Sequence, residues 1–213
     1  MRTLTSDFRG VYSWKGLDIA VDSSVGNVML ILELFADERL TAHEKSVALI
    51  HLLFEEPDVD IPILGGDLQE FIIAAMWDIA GLDVSPDKRH AKAYERPVFD
   101  FEQDAARIYA SFLATYGIDY YDVRDTLDIR RFYMLLEGLP PESEFKQAIY
   151  YRTCKVPQRD KYNGEEVERI VALKRHYRLR DKQAERGGVV DSHGQAAMND
   201  LANALRRGAT SHG

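Results

Sequence analysis

Residues 99–157 constrain the fold of this chain most strongly, because three apolar stripes of helical spacing follow one another between helix stops. Gly117 follows the first stripe, and Gly138 with Pro140 and Pro141 follows the second. Glycine suits the left-handed end of a helix, and proline cannot continue one. The segment therefore predicts three packed helices with aromatic residues in their core. The core-facing residues are Phe101, Ala105, Ile108 and Phe112, then Ile129, Phe132, Tyr133 and Leu136, then Phe145 and Ile149.

The N-terminal part predicts a short β-hairpin followed by further helices. VYSW and LDIAV are strand-like runs joined by Lys15 and Gly16, a pair that suits a tight two-residue turn. The acidic stretch between Pro57 and Pro62 is predicted as a loop. Helix starts are predicted from capping residues. They are Ser23 or Ser24, Thr41 with Glu44, Asp67, Asp122 or Asp125, and Ser143.

The composition changes after Pro157 to a polar, charged extension. Acidic residues come first and basic residues follow, which is the order that the helix dipole favours. A narrow apolar stripe runs from Val167 to Tyr177, and a last short amphipathic helix carries Leu201 and Leu205. We therefore predict a mainly α protein. Residues 1–157 form a helical core domain with an N-terminal hairpin, and residues 158–213 form a basic helical extension that is partly mobile.

The bulk composition narrows the functional class. The net charge of −8 argues against a dedicated nucleic-acid binder, which usually carries a basic balance. The single cysteine, Cys154, rules out an internal disulfide and favours a reducing compartment. The first ten residues lack the apolar core of a signal peptide, and no apolar run is long enough for a membrane span. We expect a soluble intracellular protein.

A search for chemistry finds no catalytic or metal-binding motif. His43 and His51 are too far apart on one helix to hold the same ion, and the acidic clusters lack EF-hand spacing. Cys154 has no histidine near it in sequence, and phosphate-binding glycine loops are absent. We therefore expect a non-enzymatic protein without cofactor or metal.

The remaining candidates are residues suited to binding a partner. The stretch from residue 169 to 182 is basic and contains Arg175, Tyr177 and Arg178. It suits a solvated or protein-facing surface first, and nucleic acid second, because the acidic remainder of the chain would repel a polyanion. Tyr120 and Tyr121 are adjacent at a helix junction, where both side chains cannot easily point inward. At least one of them is predicted to lie at an interface, since tyrosine is enriched there.

An ordered set of short motifs resembles the bacteriophage gene-product-fifteen family. The likeness runs from about Gly16 to Gly208 and is specific as a set rather than in any one motif. Its central residues are Phe101, Glu102, Asp104 and Ala105, then Tyr116, Gly117, Ile118 and Asp119, then Arg131, Phe132, Gly138, Leu139, Tyr151 and Arg152. Its flanking residues are Gly16, Asp22, Asp37, Glu38, Leu40, Thr41, Glu44, Lys45, Ile61, Pro62, Met76, Trp77, Leu201, Ala204, Leu205 and Gly208.

The chain departs from the family pattern at one point of interest. The family often carries two tryptophans where this chain has Ile129 and Arg130, followed by Arg131. If those tryptophans make a partner contact in the family, that contact differs here. Arg130 and Arg131 therefore join the candidate partner-binding residues.

The resemblance implies a tail assembly chaperone of the host cytoplasm. Such a protein would bind the tape measure protein, keep it soluble and help recruit tail tube subunits, with self-association as a further expectation. It would leave before the tail matures. Three alternatives remain open at this point: a stable structural tail or connector protein, a nucleic-acid-binding regulator, and a hydrolase that uses Cys154 or an acidic cluster.

Overall fold

A computed structural model of the protein describes residues 10–82, 84 and 98–180. The chain divides into two compact units, and it passes from the first to the second, back to the first, and again to the second. Of the described residues, 10–82, 84 and 121–135 belong to the first unit, and 98–120 and 136–180 belong to the second. The predicted boundary at Pro157 stays a prediction. The predicted last helix with Leu201 and Leu205 lies outside the described residues.

The described chain is mainly helical with one N-terminal hairpin, as the sequence predicts. The strands are β1 (Val11–Trp14) and β2 (Leu17–Ala20). The helices are α1 (Val25–Ala36), α2 (Ala42–Leu53), α3 (Pro57–Leu64), α4 (Leu68–Ala75), α5 (Ala105–Tyr116), α6 (Tyr120–Val123), α7 (Ile129–Glu137), α8 (Glu144–Thr153) and α9 (Gly164–His176). A 3-10 turn, Gly65–Asp67, precedes α4, and a π-helical turn, Met76–Ala80, follows it.

The hairpin closes where the sequence predicts. β1 and β2 pair antiparallel, with Trp14 opposite Leu17 next to the turn. Lys15 and Gly16 both have positive φ, 48° and 83°, as a tight primed turn requires. The hairpin packs on α4, since the rings of Tyr12 and Trp14 lie 5.6 and 5.7 Å from that of Phe71.

Several predicted helix ends are confirmed. Ser24 and Ser143 cap α1 and α8, and each hydroxyl accepts a hydrogen bond from a backbone N–H three residues later. Thr41 and Glu44 form the predicted capping box of α2. Gly117 ends α5 with φ of 65°, which only glycine adopts without strain.

The prediction of a loop between Pro57 and Pro62 is wrong, because the segment forms helix α3. Pro57 takes the first helical position, where the missing N–H costs nothing. Pro62 has no backbone N–H, so α3 loses one hydrogen bond, the one to the carbonyl of Asp58. Asp58 is exposed to water. The predicted side-chain cap by Asp67 is also wrong, since the 3-10 turn leads directly into α4 without that hydrogen bond.

The predicted start of α7 at Asp122 or Asp125 is wrong as well. Asp128 caps this helix, and its Oδ1 accepts a hydrogen bond from the Arg130 backbone N–H at 2.8 Å. The Ser23 hydroxyl donates to Asp128 Oδ2 at 2.6 Å, and the Ile129 N–H donates to the Ser23 carbonyl at 2.9 Å. The hydrogen bonds of Ser23, which precedes α1, therefore fix Asp128 as the cap of α7.

The phenylalanines of the central segment are mostly core, as predicted, but the prediction is wrong for its tyrosines, of which only Tyr133 is buried. In the second unit, Phe112 and Phe145 are fully buried, and Phe145 lies 5.8 Å from Phe99 between ring centres. In the first unit, Ile129 and Phe132 are fully buried. The apolar spacing of the segment therefore reflects mainly the packing of its phenylalanines and aliphatic residues.

Candidate partner-binding surfaces

A buried ion pair holds the end of α9 in the second unit. The two terminal nitrogens of Arg152 each lie 2.7 Å from an oxygen of Asp104, and Asp104 is completely buried. Arg152 Nε donates to the Tyr177 carbonyl, and Arg107 donates to Asp104 at 3.0 Å. Such bidentate pairs fix geometry as well as charge, so the pair orients both helices that carry it.

Lys174 closes the end of α8. Its ammonium lies 3.0, 3.2 and 2.7 Å from the carbonyl oxygens of Tyr151, Arg152 and Cys154. The last carbonyls of a helix lack partners within the helix, and a cation at that end also complements its dipole. The Cys154 sulfur is 3.9 Å from the same ammonium, so this cysteine lies within a structural junction.

The predicted partner-binding residues around Tyr177 divide into buried and exposed members. Tyr177 is 8% exposed and stacks on Tyr151, with ring centres 5.6 Å apart and planes within 3°. Arg175 and Arg178 are exposed on either side of it. Tyr177 therefore anchors this end of the second unit, and the two arginines form the surface that a partner could contact.

The predicted residues of the first unit divide in the same way. Arg130 folds back on Asp128 with two contacts of 2.9 and 2.7 Å, and only 16% of its side chain is exposed. Arg131 is exposed, and Tyr121 is 67% exposed. Tyr120, which belongs to the second unit, is half-buried. Leu201 and Leu205 lie outside the described residues.

Asp128 carries the charge that organises Arg130. Burial alone would raise the pKa of the Asp128 carboxyl, but hydrogen bonds from Arg130 and Ser23 outweigh it and lower that pKa below 3.8. The departure from the family pattern at residues 128–131 thus encodes a capped, ion-paired helix start. Of its two arginines, Arg131 is the more exposed.

Helix α3 is a surface that sequence reasoning missed. Its Val59 and Ile63 are 52% and 53% exposed, whereas its Asp60 is only 7% exposed. The ion pair of Asp104 with Arg152 and the contacts of Lys174 were missed too. Asp104 and Arg152 do belong to the motifs on which the family resemblance rests, and that was the signal available for them.

The described residues carry no grouping suited to metal chemistry. Within residues 10–82, 84 and 98–180, no three His, Cys, Asp or Glu side chains come together as ligands of one ion. Among the helices that the structure describes, none combines the length and apolarity needed to span a membrane. The candidate binding features of the described surface are therefore exposed apolar side chains and exposed charged side chains.

Comparison with known proteins identifies the family. The model of the family described as Bacteriophage Gp15 protein matches residues 5–179. The chain belongs to this family. It is therefore a phage structural or assembly-related protein. No curated protein and no solved structure matches the chain.

Proposed function

We propose that the protein is a non-enzymatic tail assembly chaperone that binds the tape measure protein and helps recruit tail tube subunits. The proposal starts from the match of the Gp15 family model to residues 5–179, which indicates a phage structural or assembly-related protein. The described surface supports it, because exposed apolar residues on helices suit the binding of amphipathic segments of another protein. Examples are Val59 and Ile63 on α3, which are 52% and 53% exposed.

The function is tested by co-expression with the tape measure protein of the same phage. The expected result is a marked gain in soluble tape measure protein, which co-purifies with this chain through an affinity tag. A control co-expression uses an unrelated helical protein of similar size. If soluble tape measure protein does not increase and none co-purifies, the proposal is wrong.

Mass spectrometry of purified virions distinguishes a chaperone from a stable structural component. A chaperone leaves before maturation, so its peptides should be absent from mature particles and present in lysates of infected cells. Peptides recovered in stoichiometric amounts from mature particles would instead support a permanent tail or connector protein. The family match by itself is equally compatible with that alternative.

A further inference from the structure

Helix α3 exposes two large apolar side chains to water and buries a carboxylate. Its inner face carries Asp60 and Leu64, which are 7% and 4% exposed. Its outer face carries Val59 and Ile63, one helical turn apart, with Pro62 exposed beside them. Apolar residues on a helix normally face the core and carboxylates face water. Helix α3 follows this pattern at Leu64 and Asp58. It departs from this pattern at Asp60, Val59 and Ile63.

The buried carboxylate shows that this orientation carries a cost. Among the described residues, Asp60 Oδ2 has no hydrogen-bond partner. Burial raises the pKa of the Asp60 carboxyl, and the nearby charge of Glu56 adds to the rise. Asp60 shares the inner face of α3 with Leu64, so the burial of Leu64 also keeps Asp60 away from water. Local rules of this kind are broken mainly where function requires it.

The surroundings of the exposed stripe are acidic. Glu55, Glu56 and Asp58 precede or begin α3, and all three are exposed. The sequence contains no lysine or arginine between Lys45 and Lys88. Asp67 follows the C-terminal end of α3. Among the described residues, Lys15 lies 3.6 Å from Asp67 and 2.8 Å from Glu70 and forms ion pairs with both.

We propose that Val59, Pro62 and Ile63 form a docking stripe for an amphipathic helix of the client whose apolar face is flanked by lysines or arginines. This inference rests on the proposed function and names the surface that performs it. The apolar stripe supplies the contact area, and the acidic residues before it select a basic flank and reject an acidic one. The stripe spans about one helical turn, roughly 5.4 Å along the helix axis.

The first test replaces the apolar stripe. In the co-expression assay, Val59→Ser with Ile63→Ser should lower recovery of the tape measure protein at least fivefold relative to the unchanged chain. The matched control is Leu30→Ser with Val47→Ser, since these residues of α1 and α2 are similarly exposed. The control should keep recovery within twofold.

The outcomes separate this inference from the proposed function. If the unchanged chain recovers no tape measure protein, the function itself fails. If the unchanged chain binds and the α3 variant binds equally well, the function stands and the docking stripe is wrong. Equal losses in the α3 variant and the control also overturn it, because the effect would then not belong to α3.

A second measurement applies even if the serine variant does not fold. Benzoylphenylalanine in place of Ile63 should form a photocrosslink to the tape measure protein, and the same group in place of Val47 should not. Peptide mapping of the crosslink should find a segment with apolar residues at helical spacing and adjacent lysines or arginines. Absence of the crosslink, or a crosslink to an acidic segment, contradicts the proposal.

The charge of the rim is tested by salt. Glu55→Gln with Asp58→Asn should weaken recovery in low salt and remove most of its dependence on salt, because the partner's cations lose their counterparts. Glu33→Gln with Glu38→Gln is the matched control, since both residues are exposed in the same unit. A salt dependence that is unchanged in the α3 rim variant overturns the electrostatic part of the proposal.

Discussion

Two aspartates, one in each unit, are buried to a similar degree and satisfied to very different degrees. Asp104 is completely buried, and both of its oxygens accept charged hydrogen bonds from Arg152, with Arg107 as a further partner. Asp60 is 7% exposed, and its Oδ2 has no partner among the described residues. A paired buried carboxylate orders its surroundings, whereas an unpaired one destabilises them.

The difference indicates what each region does. Around Asp104 the polar side chains hold α8 and α9 in place, and the contacts of Lys174 and Tyr177 continue the same network. Around Asp60, one carboxylate oxygen lacks a hydrogen-bond partner among the described residues, and Val59 and Ile63 of the same helix are exposed to water. The first region acts as a scaffold, and the second carries the docking stripe proposed above.

The largest expected effect comes from breaking the buried ion pair between Arg152 and Asp104. Arg152→Met should lower the free energy of unfolding of the second unit by about 3 kcal/mol, because Asp104 keeps its burial and loses its main partner. Hydrogen exchange of α8 and α9 amides, followed by mass spectrometry, measures the loss within that unit. Arg159→Met is the control, since its pair with Glu168 is exposed on both sides. A loss of less than 1 kcal/mol, similar to that of the control, would show that the buried pair does not hold these helices.

Local sequence rules predict much of this fold and fail where distant residues decide. Apolar spacing, Gly117 and the capping box of Thr41 with Glu44 predict helices and ends that the structure confirms. The start of α7 is not predictable in this way, because the hydroxyl that selects Asp128 comes from Ser23, 105 residues away. Two prolines and several acidic residues suggest a loop at α3, but the backbone of Pro57–Leu64 is helical.

The candidate surfaces were predictable to a similar extent. Charge alone predicts that Arg175 and Arg178 are exposed, and they are. Burial of Tyr177 depends on stacking with Tyr151, which lies on another helix, so spacing along one helix cannot reveal it. The exposure of Val59 and Ile63 depends on how α3 is rolled against the first unit. Apolar residues lie on all sides of this short helix, so periodicity alone does not fix its orientation.

Asp128 offers an intermediate case within the first unit, since it is buried and paired. Asp128→Asn keeps a helix cap but removes the charge, so it should lower stability at neutral pH by about 1.5 kcal/mol. The pKa of Asp128 is lower in the folded protein than in the unfolded chain, so its contribution is present above about pH 4. That contribution disappears as the pH falls through the folded pKa, and the variant should then match the unchanged protein.

Tryptophan fluorescence measures this effect in the correct unit. Trp14 and Trp77 are the two tryptophans of the chain, and both belong to the first unit. Urea unfolding between pH 3 and 7 gives the stability difference at each pH. Asp122→Asn, on an exposed side chain, is the control and should differ little from the unchanged protein at any pH. A difference for Asp128→Asn that grows toward acid pH would contradict the pairing.

The smallest expected effect is a gain in stability rather than a loss. It concerns Asp60, whose Oδ2 has no partner among the described residues. The pKa of Asp60 is raised in the folded protein, so the folded state binds its proton more tightly than the unfolded chain does. The stability contribution of Asp60 is therefore lost as the pH rises from about 3.8 through the folded pKa. Asp60→Asn removes this loss and should stabilise the protein at pH 7 by about 1 kcal/mol, with no gain at acid pH.

The same tryptophan-monitored urea unfolding checks this prediction. Asp58→Asn is the control on the exposed side of α3, where removing a carboxylate near the helix start should leave stability unchanged or slightly lower. If Asp60→Asn destabilises the protein at pH 7, then Asp60 is satisfied in solution and the contrast with Asp104 fails. If it stabilises the protein while tape measure recovery in co-expression is retained, Asp60 itself is not required for the proposed binding.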